Sequence, residues 1–165
     1  MTVTAEILAT YRDPAGPVGR LIASGPREDR SLAILLAAAV LMFVARTPFL
    51  ARASHLDPSV PLNARLGITL FVMLFVLPLV AYALAYLVHL VLRGFGGQGQ
   101  SGDARVALFW ALLAIGPVLL LHGLLEGFVG PEAVGARLVG FAAFAGFLWF
   151  WGRGLGVAYS RGGRA

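Results

Sequence analysis

His122 and Glu126 stand four residues apart in the apolar stretch "LLLHGLLEGF", residues 119–128. On a helix that spacing puts both side chains on one face, where an imidazole and a carboxylate can share a proton, pair with a cation or ligate a metal ion. Arg46 lies near the end of another apolar stretch, and His55 and Asp57 follow in "ARASHLDPSVPLNAR". Two imidazoles and two carboxylates have the donor chemistry of a zinc site. The same atoms serve equally well in an Arg46–Glu126 ion pair or a headgroup contact. Choosing between these depends on the elements that carry the side chains and on where a membrane would lie.

Of 165 residues, 59% are hydrophobic and 13% charged, and the mean hydropathy is +0.83. Soluble domains carry about one quarter charged residues. Here the charges cluster between long apolar runs, the pattern of a membrane protein. Four runs predict an all-α polytopic transmembrane helical bundle, with spans at 31–50, 66–92, 106–128 and 134–151. The second is longer than a bilayer is thick, so it calls for tilt, a kink at Pro78 or an end projecting into the headgroups. The third carries Gly116-Pro117 at its middle, and the fourth is short and rich in glycine. Such residues argue against soluble helices but are ordinary in membrane ones. The alternative is a pair of hairpins with only two true spans.

Residues 1–30 form a leader without the basic, apolar and small-residue regions of a secretory signal, so the first span is expected to act as its own insertion signal. Within it Asp13-Pro14 reads as an N-cap followed by the first helical residue. Val18, Leu21 and Ile22 share a face, predicting a short interfacial helix ended by Gly25-Pro26, against the alternative of a disordered tail. The layout is thus a leader (1–30), a transmembrane domain (31–155) and a basic tail (156–165).

All 13 cationic residues are arginines. With four spans, Arg12, Arg20, Arg27, Arg30, Arg93, Arg105, Arg153, Arg161 and Arg164 fall on one side, and Arg46, Arg52, Arg65 and Arg137 on the other. The positive-inside rule then places both termini in the cytoplasm, with Trp110, Trp149 and Trp151 as an aromatic belt on that side. Arginines that flank apolar runs without interleaved aromatics do not form a nucleic-acid surface. The absence of cysteine excludes disulfides and thiolate ligands.

Counting from Arg105, Glu126 lies about 31 Å along an ideal helix, at the outer headgroups, with His122 about 6 Å deeper. His89, just before Arg93, falls at the opposite interface, so the two histidines cannot share a ligand set. The outer cluster of His122, Glu126, Arg46, His55 and Asp57 is therefore expected to serve interfacial or structural pairing ahead of a metal or proton-relay site. No catalytic, cofactor-binding or metal residue is assigned, and no cofactor. None of Ser31, Ser54, Ser59, Ser101 and Ser160 has a histidine and an acid in a nucleophile arrangement. The loop "RGFGGQGQSGDAR" loosely follows phosphate-loop spacing but lacks the Lys-Ser/Thr ending and a preceding strand. It is expected to be a flexible connection. Small residues at four-residue spacing, Ala33/Ala37, Ala81/Ala85, Gly123/Gly127, Ala136/Gly140 and Ala142/Gly146, favour close helix packing, inside the bundle or against a partner.

The segments "YRDPAGPVGRLIASGPREDRSLAILLAAAVLMFVARTPFLARASHLDPSVPLNAR" and "ARVALFWALLAIGPVLLLHGLLEGFVGP" resemble bacterial membrane proteins of the Yip family, named after eukaryotic proteins that interact with Ypt/Rab GTPases. The resemblance runs from about Tyr11 to Trp151, and "FWALLAIGP" and "LLHGLLEGF" are its most distinctive parts. It implies a polytopic bacterial inner-membrane protein with a helical bundle and no known catalysis. The chain lacks the long cytosolic N-terminal region and the Asp-Leu-Tyr-Gly-Pro type motif of the eukaryotic relatives, and shows four spans where the family commonly has five. No residue-level site transfers.

Two function classes follow. The favoured one is a non-enzymatic integral membrane protein, a scaffold or accessory subunit that works by contact with the lipid bilayer, a membrane-protein partner or a second copy, without nucleic acid or an identified small-molecule substrate. The competing one is a small transporter or ion- or proton-conducting protein whose path would use His122, Glu126 and Arg46. It would require polar residues at the bilayer middle, and "FVMLFVLPLV" and "ALLAIGPVLL" have none.

Overall fold

The computed structural model describes residues 2–25 and 27–160. Pro26 and the tail arginines Arg161 and Arg164 lie outside the described residues. The described chain is all helical: α1 (Val3–Arg12), α2 (Ala15–Ala23), α3 (Glu28–Leu56), α4 (Leu62–Gly94), α5 (Ser101–Ala114), α6 (Gly116–Phe128) and α7 (Val134–Ser160). Helices α3, α4 and α7 are each long and apolar enough to cross a membrane, and α5 with α6 makes a fourth candidate if the bent pair is one span. The protein is a multi-span helical membrane protein.

The helices alternate in direction, so their ends gather at two poles. At one pole the Arg105 guanidinium at the start of α5 lies 2.7 Å from the Glu28 carboxylate at the start of α3. There too His89 near the end of α4 meets Tyr159 at the end of α7. At the other pole Arg46 of α3 meets Glu126 of α6.

Helix α5 is the central element. Ala104, Val106 through Ala111, Leu113 and Ala114 are all buried, because α3, α4 and α7 surround it and α1 and α2 cover its remaining side. A helix apolar on every face needs such a position. The outward faces of the other helices stay apolar, with Phe71, Phe75, Leu79, Phe141 and Phe144 exposed. Lipid is the solvent that suits them.

Pro78 and Pro117 both fall beside departures from regular α-helix. Between α5 and α6 the axis bends by 43° at Ile115–Gly116–Pro117. Pro117 has no N–H to offer the preceding turn. In α4 the backbone opens into a π-helical turn over Val72–Val76, where the Leu77 N–H reaches back to the Val72 carbonyl, just before Pro78. The widened turn relieves the clash a proline ring makes with the carbonyl one turn earlier. It also leaves α4 long, so the excess over bilayer thickness is not removed by a sharp kink at Pro78.

Three expectations need correction. The fourth run does not stop at Trp151: α7 continues to Ser160, so residues 156–160 are helix and not tail. Gly154 and Ala158 are buried beyond Trp151, and Gly154 admits Ala107 and Val18 to the helix surface, so packing overrides the low helix propensity of glycine. The predicted interfacial helix exists as α2, starting one residue later than expected with Pro14 at the N-cap, while the Asp13 carboxylate accepts the Ala15 N–H at 3.2 Å. It does not simply lie on a membrane surface, because Pro17, Val18 and Gly19 are buried against α7 and α5. Trp110 is no belt residue. It is 3% exposed and donates from Nε1 to the Thr10 hydroxyl of α1 at 3.0 Å. Trp149, by contrast, is 60% exposed with the Arg153 guanidinium over its ring.

Candidate functional site

Helices α3 and α6 make the most extensive helix contact in the molecule. Gly123 is buried against the Ala45 carbonyl, and Gly127 faces Pro48. A Cβ at either position would overlap α3 backbone, so glycine is what allows the approach. Of the small-residue pairs, Ala81/Ala85 is also buried in the bundle, whereas Ala33, Ala37 and Ala142 are exposed. Close packing at Gly123 and Gly127 brings the last turns of α6 beside Arg46.

There Arg46 Nη1 donates to Glu126 Oε2 at 2.8 Å, and His122 Nε2 stands 3.5 Å from Glu126 Oε1, a charge approach too long for a firm hydrogen bond. The Glu126 side chain is 13% exposed and the Arg46 side chain 43%. The Arg46 guanidinium also lies over the Phe49 ring, 4.7 Å from its centroid, which spreads its charge over an apolar surface. Nearly two turns further along α3, Arg52 Nη1 reaches the Gly127 and Phe128 carbonyls at 3.5 and 3.4 Å, where the end of α6 exposes acceptors and the negative end of its dipole.

The His122 ring packs against Gly140 of α7, where a Cβ would fall 2.9 Å from Cε1. Its Nδ1 is buried without a hydrogen-bond partner among the described residues. Beside it a cavity of about 190 Å³ is lined by Met42, Ala45, Arg46, Leu119, His122 and Met73, the last from the π-helical turn.

The structure therefore brings together His122, Glu126 and Arg46 and leaves out the other two members of the predicted cluster. His55 is exposed at the end of α3. Asp57 pairs with Arg65 at 3.2 Å and accepts the Ser59 N–H at 3.1 Å, which caps the loop into α4. Hydrogen bonds from the Ser59 side chain and backbone, with a smaller contribution from Arg65, hold the Asp57 carboxyl below its ordinary value of 3.8. Among the described residues, no three His, Asp or Glu side chains gather where they could hold a metal ion. The remaining trio can hold a proton or an ion pair, and it joins α3 to α6 at one pole.

A second polar centre escapes the sequence reading. At the opposite pole His89 is 6% exposed, and its Nδ1 lies 2.7 Å from the Tyr159 hydroxyl. The seventy-residue separation conceals the pair, and Tyr159 sits in what reads as a tail. The predicted flexible loop between the second and third spans is packed here against the Tyr159 ring through Gly97 and Gly99.

The two most distinctive stretches of the sequence fall on structural joints: "FWALLAIGP" spans the α5–α6 break and "LLHGLLEGF" the α3–α6 seam. No family model, curated protein or solved structure matches the chain.

Proposed function

We propose that the protein is a non-enzymatic, Yip-like integral membrane protein of the bacterial inner membrane that works as a scaffold or accessory subunit through contacts with membrane proteins or lipids. The observation that carries this reading is the engagement of Glu126. Its two oxygens face Arg46 and His122, so the acid of the third apolar run closes the α3–α6 seam. Polar side chains of the spans sit at the poles, and the long lateral surface is left to apolar contact. Both termini face the cytoplasm in this reading, in accord with the arginine distribution.

A second reading, conduction of protons or ions, has one observation in its favour: the partnerless His122 Nδ1 beside the 190 Å³ cavity. The cavity's other lining residues, apart from Arg46, are apolar.

The contact reading is tested by photo-crosslinking in native membranes from exposed Phe75, Leu79 and Phe144. It expects one discrete, position-dependent protein adduct, either a dimer or a single partner. Adducts to lipid alone at every position, together with a monomer in nanodiscs, would contradict a protein scaffold.

A further inference from the structure

At the Arg93 pole, the end of α4, the Gly97–Gln100 loop and the start of α5 border an open cavity of about 560 Å³ lined by His89, Arg93, Gly97, Gln98, Gly99, Gln100 and Ser101. A single water occupies about 30 Å³, so this space suits a larger polar group. Its loop is held in place. The Gly96 and Gly97 N–H groups donate to the Arg93 and Leu92 carbonyls at 3.0 and 2.9 Å, and Gly97 and Gly99 lie against the Tyr159 ring.

The lining carries several hydrogen-bond donors. The Gln100 N–H is taken by Asp103 Oδ2 at 3.3 Å, whereas the N–H groups of Gln98, Gly99, Ser101 and Gly102 have no partner among the described residues. Neither does the Arg93 guanidinium. His89 supplies an independent indication, because it is more than nine-tenths buried and lines the same space. With the Tyr159 O–H donating to Nδ1, the neutral ring carries its proton on Nε2, a donor without a partner among the described residues. None of the residues lining the cavity is a carboxylate.

We propose that this cavity binds a phosphate group, with Arg93 as the cation, the Gln98, Gly99 and Ser101 amides as the cradle and His89 Nε2 as the inner donor. Converging backbone amides at the start of a helix favour an anion, and phosphate offers enough acceptor oxygens to meet the amides and the guanidinium together. A phospholipid headgroup and free phosphate present the same chemistry.

The test uses the full chain. Inorganic phosphate is titrated into the protein in uncharged detergent, and lipid retention is read by native mass spectrometry from nanodiscs of phosphatidylcholine with and without phosphatidylglycerol. Saturable binding of at least one probe is expected, weakened about tenfold by Arg93→Gln, as for loss of one charge-assisted contact. Arg93 is exposed, so its replacement leaves the packing intact. Arg12→Gln makes the same charge change at an exposed site on α1 and is expected to alter binding less than about twofold. Phosphate binding in detergent identifies free phosphate as a ligand, and Arg93-dependent retention of phosphatidylglycerol alone identifies a headgroup. Absence of saturable binding to both probes, or equal weakening by the two variants, overturns the proposal.

Discussion

The Tyr11 hydroxyl donates to the Ala114 carbonyl at 2.9 Å, across 103 residues of chain. At the α5–α6 break, the Val118 N–H, which would serve Ala114 in a continuous helix, turns instead to Ile115. Tyr11 thus satisfies a carbonyl freed by the bend, while its ring meets Phe150 of α7 edge-on at 5.2 Å. One turn away Thr10 takes the Trp110 N–H. Together these contacts anchor the N-terminal hairpin to the bundle.

Tyr11→Phe keeps the ring contact and removes the hydroxyl, so it should lower stability by about 1 kcal/mol, with Tyr11→Ala costing more through lost packing. Thermal unfolding in a mild detergent measures both. Burial pushes the Tyr11 hydroxyl above its ordinary value of 10.0. A raised folded-state value favours the protonated form, so its contribution is full below the unfolded value and is lost as pH rises through the folded one. Tyr11→Phe should therefore flatten the alkaline limb of the stability profile.

At the α3–α6 seam, Gly123→Ala should destabilise by roughly 1–3 kcal/mol, because the added methyl meets the Ala45 carbonyl and backbone cannot move as a side chain can. Gly135→Ala on α7 has nothing within 4 Å of the new methyl and should be near neutral or slightly stabilising. Equal melting shifts for the two would refute the close seam.

The Arg46–Glu126 pair invites a double-mutant cycle with Arg46→Gln and Glu126→Gln. Solvent around the half-exposed arginine screens the attraction, so a coupling of about 0.5–1 kcal/mol is expected. Additive losses would mean that the two side chains act separately.

In the loop before α4, Ser59→Ala should raise the Asp57 carboxyl toward 3.8, as followed by NMR titration. Asp57 has a lowered folded-state value, so the cap it forms is present above the unfolded value and is lost as pH falls through the folded one. The variant should shift that loss to higher pH.

How much of this was visible in the sequence depends on the range of the interactions involved. Hydropathy finds the apolar runs behind α3, α4, the α5–α6 pair and the first two-thirds of α7, because lipid exposure acts on each segment alone. Gly116-Pro117 is equally visible, although only the structure shows the bend there. Helical spacing also joins His122 to Glu126, and the depth count brings Arg46 to them. What escapes depends on contacts far apart in the chain. Helix α1 has no strong periodic signal and is fixed by Thr10 and Tyr11 docking on α5. The end of α7 reads as tail because Gly152, Gly154 and Gly156 look like breakers, yet Gly154 is a packing contact. His55 and Asp57 looked like site residues because sequence proximity to Arg46 says nothing about which way a loop turns.

Proton and divalent-metal flux in proteoliposomes tests most directly whether the polar residues of the spans serve contact and packing. The account predicts that the wild-type protein and Glu126→Gln both match empty vesicles. Wild-type flux that falls to background in Glu126→Gln would contradict it and make the His122, Glu126 and Arg46 trio part of a conducting path.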